Sequence, residues 1–276
     1  MKKFITDFFN YQHIQTEDFS VITHAEHLHS YYEILYFLNG EADYIINGFI
    51  YHLKKRDFLL IRPGEYHRLV PNESKKYERI CIHFNTKGIA ENLREQIDSF
   101  KSICHVHKYS AIDNIFASLL EAEYDGNYTE EDILLLIERN LDVILTHLRY
   151  LQKETDIAPI STNQQINDIL DYIDKNITKP INIDTISKEF FKSASSIAHN
   201  FSSVMKMPIQ QYVTSKKIVY AQRLIQQGDL PTAVAAQLSF KDYSTFFKAY
   251  KRVLGKSPVE DSASNKKNRD SKIFNT

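Results

Sequence analysis

Three histidines and one glutamate lie at a spacing that could bind a divalent metal ion or a small polar molecule. His27, His29 and Glu33 form an H-x-H-x3-E arrangement, and His67 ends the stretch RPGEYH. Imidazole and carboxylate groups are common ligands of transition metals. The same groups inside a β-barrel can equally hold a small polar molecule by hydrogen bonds. The residue types alone leave both interpretations open.

The strand that carries Glu33 has a period that decides which side chains share its face. Alternate side chains of a β-strand point to the same side, so Glu33, Leu35 and Phe37 should face together. If that side is the inside of a barrel, the carboxylate lines the interior beside two apolar neighbours. The predicted pocket comprises His27, His29, Glu33, Leu35, Phe37 and His67.

A second kind of chemistry is predicted near the C-terminus, where two helix-turn-helix patterns follow each other. The apolar triplet of the first pattern recurs 49 residues later: Ile197, Phe201 and Val204 correspond to Phe246, Tyr250 and Val253. Each triplet follows a residue that can cap a helix N-terminus, Ser193 in the first pattern and Asp242 in the second. Two copies joined by a long helix at 209–227 imply a protein that reaches two adjacent stretches of DNA major groove.

The polar residues opposite these apolar triplets are the predicted DNA contacts. Hydroxyl and amphipathic side chains can reach base edges, while lysine and arginine can fix the register through phosphates. The first recognition helix presents Ser195, Ser196 and His199. The second presents Tyr243, Ser244, Thr245 and Lys248, and it is flanked by Lys241, Lys251 and Arg252.

The charge of the chain is divided between its halves, although the total over 276 residues is only −1. Residues 1–160 hold 17 Lys and Arg against 25 Asp and Glu, whereas residues 161–276 hold 17 against 10. A basic C-terminal half beside an acidic N-terminal half suggests that only the former faces a polyanion. Small domains also differ this much by chance, so the charge alone decides little.

Composition also excludes several classes of protein. No apolar run approaches the ~18 residues of a membrane helix, and the first residues lack the apolar block of a signal peptide. Cys81 and Cys104 form no C-x-x-C pattern, which suits a reducing compartment and gives no metal signature. We therefore expect a cytoplasmic protein without a membrane partner.

The periodicity predicts an α+β fold. From about Ser20 to Phe84 the chain is typical of short antiparallel strands, with a hairpin at Asn47-Gly48. After about residue 110 the period becomes helical, and a second helix should run from near Thr129 to about Gln152. Its apolar stripe fits packing against its own barrel or a dimer seam equally well; the stripe comprises Leu134, Ile137, Leu141, Ile144, Leu148 and Leu151.

These patterns predict five segments. A barrel covers residues 1–110, a helical and candidate dimerisation segment 111–153, and a linker 154–165, where Pro159 interrupts any periodicity. An all-helical part with both helix-turn-helix units covers 166–260. A polar tail, 261–276, is expected to be disordered.

Residues 166–258 resemble the DNA-binding domain of AraC/XylS-type transcription regulators. The stretch VAAQLSFKDYSTFFKAYKRVLGKSP matches the signature of that family at Val234, Ala235, Phe240, Ser244, Phe246, Lys251, Gly255 and Pro258. KKIVYAQRLI resembles the helix that links the two units, through Lys217, Ala221, Leu224 and Ile225. The departures are Ser239 and Lys206 at usual glycine positions, Tyr250 at a usual phenylalanine, Ser202 at a usual lysine, and His199 at a frequent arginine.

The resemblance implies a transcription regulator that is not an enzyme. By the same resemblance, Ser195, His199, Tyr243, Thr245 and Lys248 occupy base-reading positions. The H-x-H-x3-E pattern of His27, His29 and Glu33 resembles the first motif of cupins, which are small β-barrels, and the stretch that ends at His67 keeps the second motif only in part, because Pro63 precedes Gly64. Regulators of this family carry such a stretch in their effector-binding barrels, generally without a metal. The implied partners are double-stranded DNA, a small-molecule effector and a second copy of the chain, with no resident cofactor.

Two alternatives remain at this point. The chain could be a metal-dependent cupin enzyme with an accessory helical domain. It could also be a regulator whose first helix-turn-helix unit is degenerate and which acts chiefly through protein contacts.

Overall fold

The computed structural model describes residues 2–6, 8–17, 28–71, 76–151, 159 and 163–262. The predicted pocket residue His27 lies outside these ranges. Most of residues 1–161 form one compact unit, and residues from 162 onward form a second. None of the helices in the described ranges is both long and apolar enough to cross a membrane.

Within its described residues, the first unit contains two antiparallel sheets. Its strands are β1 (Lys2–Ile5), β2 (Phe9–Thr16), β3 (Tyr32–Asn39), β4 (Ala42–Ile46), β5 (Phe49–Leu53), β6 (Asp57–Ile61), β7 (His67–Pro71), β8 (Tyr77–Phe84) and β9 (Ile103–His105). Six strands pair in the order β1-β2-β8-β3-β6-β9, and three in the order β5-β4-β7. The predicted antiparallel, barrel-like N-terminal half is therefore confirmed in its strand architecture.

The hairpin between β4 and β5 forms where the sequence predicts it. Asn47 and Gly48 both have left-handed backbones, with φ of 49° and 81°. A two-residue turn of this kind matches the twist of the paired strands. Ile46 and Phe49 consequently face each other directly across the turn.

The central strand β3 is buried on both faces. Leu35 and Phe37 pack in the cluster between the two sheets, whereas Ile34 and Tyr36 pack against helices on the other side of the larger sheet. This double burial explains why the strand is almost continuously apolar. The prediction that Leu35 and Phe37 share a face is confirmed, and that face is the interior of the two-sheet structure, here called the barrel interior.

The strands do not begin at about Ser20 as the sequence predicts, because β1 and β2 precede that position. Strand β2 alternates buried and partly exposed residues along FNYQHIQT. Its buried members include His13 as well as Phe9 and Tyr11. A histidine and several amides in the alternation hide its hydrophobic face from a sequence-based prediction.

The described part of the first unit also contains three α-helices, α1 (Glu91–Arg94), α2 (Ala111–Tyr124) and α3 (Glu130–Leu151). The hydroxyl of Thr129 accepts a hydrogen bond from the Asp132 amide at 3.2 Å, and the Asp132 carboxylate accepts one from the Thr129 amide at 2.9 Å. This reciprocal pair confirms the predicted start of α3.

The apolar stripe of α3 packs against its own sheet. Ile137, Leu141, Ile144 and Leu148 are buried in the same cluster as the outer face of the larger sheet. Of the two predicted roles for that stripe, packing within the domain is confirmed. These four side chains are therefore not available as a dimer seam.

The second unit is all-helical, and its helices are α4 (Gln164–Lys175), α5 (Ile183–Glu189), α6 (Ala194–Met205), α7 (Ile209–Gln227), α8 (Pro231–Gln237) and α9 (Tyr243–Leu254). A further short helical turn spans 258–262. Helix α7 ends at Gly228, which adopts a left-handed backbone with φ of 114°, as a helix C-cap requires.

Two predicted boundaries need correction. Most of the expected linker, 154–165, lies outside the described residues, but Gln164 and Gln165 belong to α4 because Asn163 caps that helix. The expected disordered tail begins too early, since Asp261 is buried and hydrogen-bonded. The folded unit extends at least to residue 262, and residues 263–276 lie outside the described ranges.

Candidate nucleic-acid interface and barrel interior

The first helix-turn-helix unit consists of α5 and α6. Asn182 and Thr185 form a capping box at the start of α5, and the Ser193 hydroxyl caps α6 by accepting from the Ser196 amide. Ile197 and Phe201 are completely buried. The three predicted contact residues on the opposite face are exposed: Ser195, Ser196 and His199.

Asn200 is the one amide side chain on α6 that could bond a base edge with two groups, and the structure directs it elsewhere. Its Nδ2 donates to Gln165 Oε1 at 2.9 Å, and its Oδ1 accepts from Asn163 at 3.4 Å. Asn200 thus ties α6 to α4. The exposed start of α6 presents hydroxyl and imidazole groups.

The second unit, α8 and α9, has the same construction. Asp242 caps α9 by accepting from the Thr245 amide at 2.7 Å. Phe246 and Tyr250 are completely buried, and Phe246 packs edge-to-face with Phe240 at 5.2 Å between ring centroids. All seven predicted contact residues of this unit are exposed: Lys241, Tyr243, Ser244, Thr245, Lys248, Lys251 and Arg252.

Two of the unusual residues in these units occupy left-handed backbone positions. Ser239 has φ of 57° and Lys206 has φ of 51°. Glycine adopts this conformation without a steric penalty, whereas residues with a β-carbon rarely do. The backbone therefore keeps the geometry for which the family signature uses glycine, although the side chains differ.

The third departure, Tyr250, has a partner that the sequence did not reveal. Its hydroxyl donates to Asp261 Oδ2 at 2.7 Å, and Gln222 and Lys256 also bond to the same carboxylate, at 3.0 and 2.7 Å. Asp261 is 3% exposed. The short turn at 258–262 is thereby fixed against α7 and α9, which support the second recognition helix.

A buried lysine joins the two helix-turn-helix units. Lys217 on α7 donates to the carbonyl of Lys179, which precedes the first unit, at 2.8 Å. The same ammonium donates to the carbonyl of Leu238, in the turn of the second unit, at 2.7 Å. Ser239 adds a hydrogen bond to the carbonyl of Thr178 at 2.9 Å. The relative placement of the two helix-turn-helix units is therefore set by hydrogen bonds as well as by packing.

A cleft of about 530 Å³ lies beside α9. Lys241, Lys248 and Arg252 line this cleft together with Asn182. A concave surface with several fixed cations attracts an anionic polymer. Both the exposed faces and the charge of this cleft suit a phosphate backbone.

In the N-terminal compact unit, the barrel interior holds a buried carboxylate between two imidazoles. Glu33 Oε2 lies 3.4 Å from His67 Nε2 and 3.5 Å from His83 Nε2. Glu33 and His83 face each other directly across β3 and β8. Glu33 is 4% exposed and His67 1%, whereas the His83 side chain is 19% exposed, so the carboxylate and the His67 imidazole are buried and His83 borders the solvent.

His29 belongs with these side chains. The ligand atoms of His29, Glu33 and His67 all lie within 4.8 Å of one another. Two imidazoles and a carboxylate at this separation fit a divalent transition metal after small side-chain movements. They fit a small hydrogen-bonding molecule equally well.

Strand β8 supplies two interior residues that the sequence analysis missed, Arg79 and His83. They alternate with Tyr77 and Cys81 along one face of the strand. Arg79 faces Phe37 across β3 and Ile14 across β2. The period-two pattern Y-x-R-x-C-x-H was visible in the sequence, but a charged residue in a strand is ordinarily assigned to the solvent side.

Two family descriptions match the chain. The AraC-like ligand binding domain matches residues 11–139, and a helix-turn-helix domain matches residues 186–262. The first range covers the strands that carry the polar interior but not β1 or the start of β2. The second range covers both helix-turn-helix units except for the start of α5.

Similar proteins are named as transcription regulators. The chain is 21% identical to the uncharacterized HTH-type transcriptional regulator YfiF of Bacillus subtilis, over 93% of this chain and 83% of that one. It is 24% identical to the probable transcriptional regulator LumQ of Photobacterium leiognathi, over 89% and 96%. Among solved structures, ToxT from Vibrio cholerae is 14% identical over 92% of this chain and 97% of that one, with a TM-score of 0.39.

Proposed function

Because the chain belongs to the AraC type of transcription regulators, with a ligand-binding domain and a helix-turn-helix DNA-binding domain, we propose that α6 and α9 read two adjacent major-groove segments under the control of an effector in the barrel interior. The observation that carries this proposal is the matched construction of the two units. Each has a capped recognition helix with a buried apolar face and an exposed polar face. Such a protein acts where the chromosome is, in the cytoplasm.

The two recognition helices have unequal roles in this proposal. Helix α9 carries the exposed Lys248 and Arg252, and Lys241 lies just before it, so it supplies much of the phosphate affinity and a charged group for a base edge. Helix α6 offers Ser195, Ser196 and His199, which make weaker single hydrogen bonds. The second helix-turn-helix unit therefore binds DNA more tightly than the first helix-turn-helix unit.

The effector-binding role of the N-terminal compact unit rests on the polar groups in its barrel interior. Buried polar groups are costly unless they are hydrogen-bonded, and the buried Glu33 and His67 lie side by side, with the partly exposed His83 next to Glu33. A ligand that binds there can favour one arrangement of the barrel and its helices over another. Allosteric control follows if the two arrangements differ in their affinity for DNA.

The outer face of α3 is the proposed dimer contact, in place of the stripe predicted from sequence. Leu135, Val143 and Tyr150 are 51%, 41% and 56% exposed. At 3.6 residues per turn, their spacing of eight and seven residues keeps them near one side of the helix. A second copy that packs its own α3 there would cover all three.

Salt-dependent DNA binding tests the proposal against a regulator that works through protein contacts alone. Binding of the purified chain to random-sequence duplex DNA should weaken steeply between about 50 and 200 mM salt, because phosphate contacts release counterions. A nearly flat response would contradict phosphate-anchored binding and favour protein contacts.

The second candidate function is a metal-dependent cupin enzyme, favoured by the cluster of His29, Glu33 and His67. Elemental analysis of the purified protein separates the two. A stoichiometric transition metal that is lost in His67→Ala and retained in the control His52→Ala would favour the enzyme. His52 is a suitable control because its pair with Asp43 lies at the surface.

A further inference from the structure

Arg79 is a buried charge in the barrel interior for which the described residues provide no counter-ion in direct contact. It is 4% exposed, and a guanidinium remains protonated in proteins. Within the described ranges, no acceptor lies within hydrogen-bond distance of its Nε, and no carboxylate forms an ion pair with it. The interior carboxylate, Glu33, forms its ion pairs with His67 and His83 and attracts Arg79 without direct contact.

Burial lowers the pKa of Arg79, but the polar groups of Cys81, Tyr77, Tyr44 and Glu33 outweigh that effect and raise it, although none of them forms an ion pair with the guanidinium. Burial raises the pKa of the Cys81 thiol to about 12, and burial also raises the pKa values of the Tyr77 and Tyr44 hydroxyls. All three groups are therefore uncharged near neutral pH. The Tyr77 ring lies 5.6 Å from the guanidinium carbon, and such a cation–π contact offsets only part of the cost of burying the charge.

The surroundings of Arg79 are rich in hydrogen-bond donors and otherwise apolar. Phe37 and Ile14 lie opposite it on the neighbouring strands, and Leu35, Ile46 and Leu69 are buried in the same interior cluster. A guanidinium that is removed from water without an ion-pair partner in contact carries a desolvation cost. A carboxylate is its best geometric complement, because the two can form paired hydrogen bonds.

We propose that the effector of this regulator is an organic acid with an apolar body, and that Arg79 binds its carboxylate inside the barrel. This inference rests on the proposed effector-binding role of the first unit, and it specifies the chemistry of the ligand. The apolar body would lie along the inner faces of β3 and β4. The neutral phenols of Tyr44 and Tyr77 would border the carboxylate.

Matched pairs of acids and amides test the proposal on the full chain. Calorimetric titration would compare hexanoate with hexanamide, benzoate with benzamide, and phenylacetate with phenylacetamide, since each amide keeps the shape and loses the charge. At least one acid should bind at least tenfold more tightly than its amide. Arg79→Lys should weaken that acid at least tenfold and Arg79→Met should abolish its binding, while the exposed control Arg94→Met leaves it unchanged.

Equal binding of acids and amides, binding that survives in Arg79→Met, or no binding of any acid would overturn the proposal. The melting temperature without ligand provides a second test. If Arg79 awaits an anion, Arg79→Met should melt at a higher temperature than the wild type, because an unpaired buried charge has been removed. A lower melting temperature would instead assign Arg79 a structural role.

The titration also separates this proposal from the broader one. If an amide binds and its acid does not, the barrel still senses a small molecule and only the class of ligand is wrong. If no probe binds, salt-dependent DNA binding of the same preparation shows whether the DNA-binding half of the proposed function stands.

Discussion

The ammonium of Lys217 donates a 2.7 Å hydrogen bond to the carbonyl of Leu238, in the turn of the second helix-turn-helix unit. Its other bond reaches Lys179, ahead of the first unit. One side chain on the connecting helix therefore fixes both units. DNA that spans both recognition helices senses this connection, whereas DNA that contacts one helix does not.

Lys217→Met should reduce affinity for a DNA site with both contact segments at least tenfold and leave affinity for either segment alone nearly unchanged. The loss of two hydrogen bonds should also lower the free energy of unfolding by about 1–3 kcal/mol. Mobility-shift titrations with full and half sites measure the first effect.

Lys216→Met is the matched control, since Lys216 pairs with the half-exposed Asp174 and such a surface pair contributes only ~0–1 kcal/mol. Equal losses for full and half sites would contradict the coupling.

Asp261 should make the stability of the C-terminal compact unit sensitive to acid. Burial alone would raise the pKa of this carboxyl, but hydrogen bonds from Lys256, Tyr250 and Gln226 outweigh it and lower the pKa. A depressed pKa adds stability above the unfolded value of about 3.9, and that stability is lost as pH falls through the folded value.

Asp261→Asn should therefore lower the free energy of unfolding by about 1–3 kcal/mol at pH 7. It should also make the stability of the C-terminal compact unit depend less on pH between about 5 and 3. Urea unfolding at a series of pH values measures both quantities. Asp229→Asn serves as the control because Asp229 is exposed. An unchanged pH dependence in Asp261→Asn would show that other carboxyls determine the acid sensitivity.

His13 should give the stability of the N-terminal compact unit the opposite dependence on pH. Its ring bonds Glu123 at 2.8 Å and Glu78 at 3.0 Å. Burial lowers the pKa of His13, but the hydrogen bonds and charges of Glu123 and Glu78 outweigh that effect and raise it. The resulting stability is complete below the unfolded value of about 6.5 and is lost as pH rises through the folded value.

Hydrogen exchange at the amides of β2 and β8 should therefore reveal a loss of local stability as pH rises above about 6.5, after correction for the intrinsic exchange rate. His13→Gln should remove most of this dependence, whereas His52→Gln, at a surface pair with Asp43, should keep it. If both variants keep it, the stabilisation by the two glutamates does not depend on the charge of His13.

Lys248 and Lys251 should differ in the kind of DNA contact they make. Lys248→Ala should lower affinity by about 1–3 kcal/mol at particular base pairs if its ammonium binds a guanine edge. Lys251→Ala should weaken binding to all sequences alike and reduce the slope of the salt dependence by about 1, as expected for a phosphate contact. Binding to a set of single-base variants of one site distinguishes these patterns. A uniform loss for Lys248→Ala would reassign it to the phosphates.

The outer face of α3 should carry self-association. Val143→Glu places a charge at the centre of the exposed apolar row and should shift the chain from dimer to monomer in analytical ultracentrifugation. Glu138→Lys, at another exposed position of the same helix, is the control. A monomeric wild type, or an unchanged dimer in Val143→Glu, would remove α3 from the interface.

Local patterns in the sequence were sufficient to predict much of this fold. The caps at Ser193 and Asp242 and the turn at Asn47-Gly48 are encoded within a few residues. The placement of Glu33 follows from the period of one strand. The bounds of α7 likewise follow from its periodicity and from Gly228.

The parts that escaped prediction depend on contacts between residues distant in sequence. His83 reaches Glu33 only because β8 pairs with β3 in a specific register, and one residue of slippage would turn it to the other face. Asp261 looked like the start of a polar tail because its partner Gln222 lies on another helix. The stripe of α3 could not disclose whether its own sheet or a second copy would cover it.

In vitro selection from random duplex DNA with the full chain shows whether both recognition helices read base sequence. We expect an enriched site with two specified segments whose centres lie about one helical turn apart, roughly 10 base pairs. The segment that is lost in Lys248→Ala should be the one bound by α9. Failure to enrich any sequence, or enrichment of a single short segment that is insensitive to changes in α6, would contradict a regulator that reads DNA with two recognition helices.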